Sequence, residues 1–251
     1  MERRQFLLLS ALASGVSVWN PARAFDLGKM LDAGKDILEA QSLSDSDLNI
    51  YFKQISEQED KQNKIAGASS KYGKRLSKLT KGLNQYNGLK LNFKAYETPE
   101  INAFAVADGS IRIYSGLMDQ FTDDEVRYVV GHEIGHVQAG HSKARIQMAL
   151  RTSAFRKAIA ATDGKAARLA ESQLGELFES VIKAQHSQNN EREADDRAMQ
   201  FMRTKQYNPL ACVSALEKLD AMNSGGGASW LSTHPSPKER AQRMREQLAV
   251  S

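Results

Sequence analysis

The chain has 251 residues, of which 41% are hydrophobic and 25% charged, a composition that suits one sizeable soluble domain or two small ones. Its formal charge is only +4, and basic residues are scattered among acidic ones, so neither a nucleic-acid site nor an anionic-lipid site is indicated. The basic stretch at residues 71–90 is interpreted as the solvated face of a helix. Cys212 is the only cysteine, which excludes an intrachain disulfide and leaves the stability of the fold to packing.

Residues 1–24 have the pattern of an export signal. A charged start is followed by an apolar run at residues 6–19 and by the letters ARA at residues 22–24, which resemble a signal-peptidase cleavage site. The letters RRQFL at residues 3–7 are also typical of a twin-arginine signal. We therefore expect a cleavable signal, a mature chain that begins near Phe25, and a periplasmic location. The alternative is an uncleaved N-terminus that anchors the protein to the inner membrane; no later segment has the length and apolarity of a membrane span.

Two helices are predicted before the first strand. One begins near Ser44, within a helical segment at residues 25–68, and its apolar residues recur at helical spacing: Leu48, Tyr51, Phe52 and Ile55. The other is predicted over residues 69–85, with an apolar stripe formed by Tyr72, Leu76, Leu79 and Leu83. We place the boundary between this N-terminal segment and the main domain at residue 68, so that the main domain spans residues 69–251.

The only β-rich region follows the dipeptide NG at residues 87–88, which ends the second helical pattern. Three short alternating runs lie at residues 91–97, 101–107 and 110–115. The dipeptide DG at residues 108–109 separates the last two runs and is typical of a β-hairpin turn. These runs predict a small three-stranded sheet, antiparallel or mixed, in a fold of the α+β class.

The rest of the chain is predicted to be helical. Thr122 and Glu125 form a capping-box pattern that opens a helix, and helical sequence continues through Leu150. Further helices are predicted over residues 165–203, from residue 209 onward and after residue 236, with a glycine-rich loop at residues 223–229. The fold is therefore expected to be predominantly helical, with one small sheet.

The stretch HEIGH at residues 132–136 has the spacing of a metal-binding motif on a helix. At about 100° per residue, His132 and His136 fall on one face, where two imidazoles can hold the same ion. Glu133 lies at the adjoining edge, within reach of a water on that ion, and would act as the catalytic base. This pattern is the HExxH signature of zinc peptidases.

A zinc site of this kind needs a third protein ligand. His141 is not expected to supply it, because on an unbroken helix it points about 180° away from His132. It is interpreted as a structural or surface residue just past Gly140, which is expected to be the C-cap of the helix. The acidic run at residues 190–196 is the better candidate, since Glu191 and Asp195 lie one helical turn apart within it. A solvated acidic face has the same composition, so charge alone leaves open which acid is the ligand.

Several motifs in combination resemble the zinc metallopeptidase family of HtpX and the CAAX prenyl protease, and within it the soluble periplasmic branch. They are HEIGH at residues 132–136, the Glu-x-x-Ala-Asp pattern that begins at Glu191, His234 followed by a proline, and the segment at residues 102–117. The resemblance covers roughly residues 70–248 and implies a zincin-like, gluzincin-type metallopeptidase fold with one Zn²⁺ ion per chain. It also implies that Glu191 is the third metal ligand and that Asp195 is the carboxylate that holds a ligand histidine.

The resemblance further implies roles for one strand and one loop. The strand formed by Asn102, Ala103, Phe104 and Ala105 would bind an extended peptide substrate by β-pairing. His234 would approach the active site from a late loop, where it either assists catalysis or occupies the open position of the metal and keeps the enzyme latent. The chain departs from lipoprotein members of the family in lacking an N-terminal cysteine, and from HtpX in lacking membrane spans. Both departures put membrane tethering in doubt.

Two remaining residues receive structural interpretations. His186 precedes Glu191 by five residues, on a different helix face, and is interpreted as structural or exposed. Cys212 shares an apolar helix stripe with Leu216 and Leu219 and is interpreted as a small core residue.

Together these observations predict a zinc metalloendopeptidase that hydrolyses peptide bonds in misfolded or envelope proteins, with a role in periplasmic protein quality control. Its expected partners are unfolded or misfolded substrates and envelope or outer-membrane assembly proteins; no nucleic acid is expected. One alternative is a latent protease that acts mainly as a chaperone-like assembly factor for outer-membrane proteins. Another is a structural zinc protein, against which the presence of Glu133 argues, because a structural site does not need it.

Overall fold

A computed structural model describes residues 45–150, 171–181, 184–223 and 229–250 of the chain. The predicted export signal and most of the predicted glycine-rich loop lie outside these ranges. Within them, no helix combines the length and the apolar character that crossing a lipid bilayer requires.

Helices make up most of the described residues. In chain order they are α1 Asp45–Gln62, α2 Lys71–Leu79, α3 Ser115–Gln120, α4 Asp123–Gln138, α5 His141–Leu150, α6 Glu171–Val181, α7 Gln188–Thr204, α8 Leu210–Asn223, α9 Trp230–Thr233 and α10 Pro237–Ala249. The strands are β1 Gln85–Tyr86, β2 Leu89–Lys90, β3 Asn92–Tyr96, β4 Ala103–Ala105 and β5 Ser110–Tyr114. The predicted α+β class, predominantly helical with a small sheet, is confirmed.

The larger sheet is mixed and has the strand order β3-β5-β4. β5 runs parallel to β3 and antiparallel to β4, with Ala103 opposite Ile113. The β4–β5 hairpin has a three-residue loop, closed by the hydrogen bond from the Val106 N–H to the Ser110 carbonyl, and it ends at Gly109, whose φ of 85° lies in the left-handed region that such loops use. β4 is therefore an edge strand, paired on one side only within the sheet.

α1 packs on this sheet and forms a hydrophobic core with α5 and α6. The residues predicted to form its apolar face are all buried: Leu48, Tyr51, Phe52 and Ile55. They belong to the same cluster as Phe104 of β4 and Phe178 of α6, whose rings meet edge to face with centroids 5.4 Å apart. Asp60, near the end of α1, accepts hydrogen bonds from Tyr96 and Arg112 of the sheet. α1 thus supports β4, the strand predicted to bind substrate. The domain boundary at residue 68 stays a prediction.

The main hydrophobic core surrounds α4 and includes residues of the sheet, α2, α7, α8 and α10. Cys212 is fully buried in this core, as predicted, together with Leu216 and Leu219 of the same helix. On α2, Leu76 and Leu79 face the core, whereas Lys71, Lys74 and Lys78 are exposed. The interpretation of this basic stretch as a solvated helix face is therefore confirmed for α2.

α4 and α7 cross at very short distance, and glycine makes this possible. A Cβ atom built on Gly135 would lie 2.8 Å from the carbonyl oxygen of Ala194, and one built on Gly131 would lie 2.6 Å from the ring of Phe201. Contacts this short leave no room for a larger side chain unless the helices move apart. The close crossing brings the HEIGH stretch of α4 against the acidic stretch of α7.

The helix predicted over residues 69–85 is shorter in the structure, where it ends at Leu79. Gly82 follows with a φ of 77°, which a helix cannot contain. Residues 85–90 instead form the β1–β2 hairpin, in which Asn87 and Gly88 have φ values of 48° and 80°. Two consecutive positive values are what a type I′ turn requires. Its two-residue strands are too short to show an alternating pattern in the sequence.

The helix predicted over residues 165–203 is interrupted. α6 ends at Val181, and α7 begins as a new helix at Gln188. Ser187 is the N-cap of α7, and its hydroxyl accepts a hydrogen bond from the backbone N–H of Asn190 at 3.2 Å. A serine at this position satisfies a backbone donor that has no partner inside the helix. The interruption places the start of α7 one turn before Glu191.

Candidate metal centre

His132 and His136 lie on the same face of α4, one turn apart. Their Nε2 atoms are 3.0 Å apart, and both side chains are buried. The helix that carries them starts with the predicted capping box: the Thr122 hydroxyl accepts from the Glu125 N–H, and the Glu125 carboxylate accepts from the Thr122 N–H. The two imidazoles therefore present adjacent donor atoms toward α7.

Glu191, on α7, directs its carboxylate at both imidazoles. Its Oε1 is 3.3 Å from His136 Nε2, and its Oε2 is 3.5 Å from His132 Nε2. Neither oxygen has a hydrogen-bond partner of good geometry within the described residues, although Arg240 Nη1 lies 2.5 Å from Oε2 as an ion-pair contact. A bound metal ion would satisfy a buried carboxylate that converges with two imidazoles in this way.

His234 closes the group from the C-terminal part of the chain. One donor atom each from His132, His136, Glu191 and His234 lies within 4.8 Å of the others, and all four side chains are buried. The Nε2 of His234 has no hydrogen-bond partner in the described part of the structure. Imidazole and carboxylate donors suit a tetrahedral zinc site. A catalytic site uses three protein donors and keeps the fourth position for water or substrate. The residues present therefore fit a metal ion, and their donor types favour zinc.

Asp195 holds the other side of His132. Its Oδ1 is 2.9 Å from His132 Nδ1 and accepts a hydrogen bond from the Tyr128 hydroxyl at 2.8 Å. Arg240 donates to both carboxylate oxygens from Nε and Nη2, each at 2.8 Å. Burial by itself would raise the pKa of Asp195, but Arg240 and His132 outweigh it and hold that pKa below its ordinary value. An ionised Asp195 fixes the orientation of His132 and favours a proton on its Nδ1.

Glu133 lies beside the four donor groups. Its Oε1 accepts a hydrogen bond from Trp230 Nε1 at 3.2 Å and lies 3.6 Å from His234 Nε2. The side chain is buried, and this burial raises the pKa of its carboxyl to about 7. A group with that pKa is suited to accept a proton at neutral pH and to release it again.

Burial and neighbouring charges move the pKa values of the two imidazoles in opposite directions. Burial by itself lowers the pKa of His132, but Glu191 and Asp195 outweigh it and raise that pKa to about 9. For His136 burial dominates and lowers the pKa to about 3. The protonated form is therefore favoured at His132, next to Glu191, and disfavoured at His136.

The strand predicted to bind substrate, β4, borders this centre. Phe104 and Ala105 line the same small cavity as Glu133 and His234. Ala103, Phe104 and Ala105 form the strand, and Asn102 lies just before it. An edge strand beside a catalytic centre can add an extended peptide to its sheet through backbone hydrogen bonds.

Two side chains already bind the backbone of β4. The Ser142 hydroxyl donates to the Ala105 carbonyl at 3.2 Å, and the Asn102 side-chain oxygen accepts from the Ala103 N–H at 2.9 Å. A peptide that pairs along the whole strand would have to replace both hydrogen bonds.

The other two histidines of the chain lie against His136. The Nδ1 of His141 is 2.9 Å from the Nδ1 of His136, and the ring of His186 stacks on the His136 ring with centroids 4.0 Å apart. Both residues are buried, so the exposed alternative for each is wrong. All five histidines of the chain therefore lie in one cluster.

Sequence reasoning missed Tyr128, Trp230 and Arg240, each of which contacts a predicted residue. Tyr128 lies one turn before His132 on α4, and that spacing is a signal that could have identified it. Trp230 and Arg240 lie in the C-terminal part of the chain and meet residues of α4 and α7 only in the folded protein. No local pattern distinguishes Arg240 from the other arginines of α10.

The chain is similar to known metalloproteases. It is 38% identical to metalloprotease LoiP of Escherichia coli (strain K12) over 251 residues, which is 100% of this chain and 98% of LoiP. It is also 38% identical to metalloprotease YcaL of the same organism, over 96% of this chain and 97% of YcaL. Protease HtpX of Stutzerimonas stutzeri (strain A1501) is 30% identical over 68% of this chain and 72% of HtpX.

The sequence profile of Peptidase family M48 matches residues 74–248. This span contains the HEIGH stretch, the acidic stretch of α7 and the loop of His234. The family that the sequence motifs indicated is thereby confirmed. The chain belongs to peptidase family M48 and is a metalloendopeptidase.

Proposed function

We propose that this metalloendopeptidase holds one zinc ion with His132, His136 and Glu191 and cleaves peptide bonds with Glu133 as the catalytic base. The proposal is carried by four buried donor atoms that converge within 4.8 Å, with the Glu133 carboxylate beside them. A bound zinc ion would supply Lewis acidity, which activates a water molecule and polarises the scissile carbonyl group.

The protein's own groups carry out the proton transfers. Glu133 accepts the proton of the attacking water and delivers it to the nitrogen of the leaving amine. Trp230 orients the Glu133 carboxylate through its hydrogen bond to Oε1. Asp195 keeps the Nδ1 of His132 protonated, so that the Nε2 of that ring is free to act as a ligand.

Substrates are proposed to be unfolded or misfolded proteins. The position of β4 at the sheet edge supports this, because a strand can pair only with a segment that is itself extended. A folded protein rarely offers such a segment with free backbone groups, since its strand edges are protected. Replacement of the Ser142 and Asn102 contacts by a peptide backbone would then be part of substrate binding.

The place of action is proposed to be the periplasm, with envelope proteins as substrates and partners. The charged start, the apolar run and the ARA site within residues 1–24 support export. Quality control of envelope proteins is the role that a peptidase for unfolded chains would perform there.

A second candidate function is a latent protease that acts mainly as a chaperone-like assembly factor for outer-membrane proteins. The position of His234 favours it, because this residue supplies the fourth donor atom of the cluster. A histidine there occupies the position that water or substrate needs. Peptide would then be held along β4 without being cleaved until His234 moved away.

The direct test is the variant Glu133→Gln in the mature chain. We expect one zinc ion per chain in both proteins, and loss of casein cleavage by a factor of about 100 or more in the variant, because the base is gone while the ligands remain. Asp124→Asn, which removes another carboxylate of α4, is the matched control and should cleave like the wild type. Normal cleavage by Glu133→Gln, or a wild type without zinc, would contradict the proposal.

The variant His234→Ala separates the two candidate functions. Faster cleavage than the wild type, with zinc content unchanged, would support the latent form. Slower cleavage would instead assign His234 a role in catalysis, for example as a hydrogen-bond donor to the developing oxyanion.

A further inference from the structure

His136 is held on its far side by a second set of hydrogen-bonding groups. Its Nδ1 lies 2.9 Å from the Nδ1 of His141, and the Nε2 of His141 lies 3.3 Å from Oε2 of Glu193. Arg197 donates to the other oxygen of Glu193, with Nη2 2.8 Å from Oε1. These groups form a line from the ligand histidine to the exposed side of α7.

The end of α4 makes this line possible. Gly140 has a φ of 71°, in the left-handed region, and α5 begins as a new helix at His141. On a continuous helix His141 would project about 140° away from His136. After the turn, the two rings approach each other with centroids 5.1 Å apart.

The hydrogen bonds in this line can run in only one direction when His136 binds a metal through Nε2. That nitrogen faces Glu191 and His132. A nitrogen that binds a metal carries no proton, so the proton of the neutral ring is on Nδ1. The Nδ1 of His141 must then accept, which leaves its Nε2–H to donate to the Glu193 carboxylate. Each donor in the line meets one acceptor.

We propose that His141 and Glu193 are positioning residues that fix the tautomer and ring orientation of His136, as Asp195 does for His132. The inference rests on the proposed metal site and adds a second carboxylate-supported ligand to it. His132 contacts its carboxylate directly, whereas His136 reaches its carboxylate through an intervening imidazole. Partners of this kind change metal affinity by about 10–100-fold.

The dissociation constant for zinc, measured on the mature chain by competition with a chelator, tests the proposal. His141→Phe fills the space of the ring without a ring nitrogen and should raise the Kd about 10–100-fold. His141→Asn keeps an acceptor for the Nδ1–H of His136 and should recover most of the lost affinity.

Two carboxylates of α7 provide a matched pair of variants. Glu193→Ala should raise the zinc Kd about threefold to tenfold, because it removes only the outer end of the line. Asp196→Ala removes a carboxylate of similar exposure that pairs with Arg243, and it should leave the Kd unchanged.

A spectroscopic measurement separates positioning from packing. In the zinc-loaded wild type, the Nδ1–H proton of His136 should exchange slowly with water in ¹⁵N-edited NMR spectra, because it is buried in a hydrogen bond. In His141→Phe and in Glu193→Ala this proton should exchange faster. The Nδ1–H proton of His132, which Asp195 holds, should be unaffected.

The proposal is overturned if His141→Phe binds zinc as tightly as the wild type, or if His141→Asn binds as weakly as His141→Phe. If His141→Phe fails to fold, Glu193→Ala decides: a Kd and an exchange rate equal to those of Asp196→Ala would exclude the role of this line. Failure of the proposed function is distinguishable, because the wild type itself would then bind no zinc.

Discussion

Trp230 connects two groups of the site through one indole ring. Its Nε1 donates to Glu133, and its ring face stacks on His234 with centroids 4.2 Å apart. A hydrogen bond to a charged group contributes about 1.5–3 kcal/mol. The proposed base is therefore oriented by the same segment that places His234.

We expect Trp230→Phe to lower kcat about 10–100-fold and to leave the zinc content at the wild-type value. Phenylalanine keeps an aromatic face for His234 but has no donor for Glu133 Oε1, and the loss of one such bond corresponds to about that factor. Steady-state peptide cleavage and metal analysis of the same samples measure both quantities. An unchanged kcat would show that the bond does not orient the base, and loss of zinc would assign Trp230 to the folding of the segment.

The site residues that the sequence could predict are those fixed by helical spacing or by a family motif. His132, Glu133 and His136 belong to one helix, so their geometry follows from the period of that helix. Arg240 lies 45 residues from its partner Asp195, and the contact depends on how α10 packs against α7. Packing of this kind leaves no local signal. Gly140 could be recognised as a helix C-cap, but the approach of the His141 ring to His136 depends on the direction of the helix that follows.

At the scale of secondary-structure elements, the crossing of α4 and α7 determines whether the ligands can meet. His132 and His136 come from one helix and Glu191 from the other. The glycine at position 135 sets the distance between the two backbones. The geometry of the metal centre is therefore coupled to the packing of this helix pair.

We expect Gly135→Ala to lower the free energy of unfolding by about 1–3 kcal/mol, because the new Cβ would force the helices apart. The zinc Kd should rise as well, since Glu191 would move away from the imidazoles. Chemical denaturation and chelator competition are the measurements.

Gly175→Ala, in α6, is the control for that variant. A Cβ at this position meets no atom within 4 Å, so the change should be neutral or stabilising by up to about 1 kcal/mol. Equal stability of both variants and the wild type would contradict the role assigned to the close crossing.

Asp60 links α1 to the sheet and should make stability depend on acid pH. Burial by itself would raise its pKa, but hydrogen bonds from Arg112, Lys94 and Tyr96 outweigh burial and lower it. Because the folded pKa lies below the unfolded value of about 3.9, the ionised carboxylate stabilises the fold above that pH. This contribution is lost as the pH falls through the folded pKa.

We expect Asp60→Asn to be destabilised by about 3 kcal/mol at neutral pH, because the buried guanidinium of Arg112 loses the carboxylate that balances its charge. Below pH 4 the difference from the wild type should shrink, which urea unfolding at a series of pH values would measure. Glu57→Gln, in an exposed pair with Lys53, is the control and should change stability by less than about 0.5 kcal/mol. A difference that stays constant down to pH 2 would contradict this role for Asp60.

Most helices could be predicted from the sequence, and the exceptions have physical causes. The capping box at Thr122 and the hairpin at Gly109 were predictable because each depends on adjacent residues. The end of α2 was not predictable, because a polar helix pattern continues past Gly82. The break between α6 and α7 was not predictable either, because the pattern continues across Ser187, the N-cap of α7. The parallel pairing of β3 with β5 also depends on tertiary packing, as no turn fixes it.

At the scale of the whole molecule, the centre joins segments that are distant in the chain. Its donor atoms come from α4, from α7 and from the residue after α9. A metal ion bound there would act as a cross-link between these parts, present in the folded protein and absent from the unfolded one. Binding of this kind adds directly to the free energy of unfolding.

We expect removal of zinc by a chelator to lower the Tm and re-addition to restore it. At a free zinc concentration of 100 times the Kd, the gain in stability should be about 2.7 kcal/mol. Scanning calorimetry with and without the chelator measures the shift. A protein with His132→Ala and His136→Ala should show no zinc-dependent change, and an identical Tm for the wild type in both conditions would contradict a metal at this centre.

The stacking of Trp230 on His234 has an optical consequence. The chain has two tryptophans, Trp19 and Trp230, and the first lies within the predicted export signal. A chain that begins at Phe25 therefore contains a single indole, fully buried against the proposed catalytic base. Its fluorescence arises at the active centre alone and shifts to longer wavelength if the segment opens to water. The unlabelled enzyme thus carries its own reporter of metal binding, peptide binding and release.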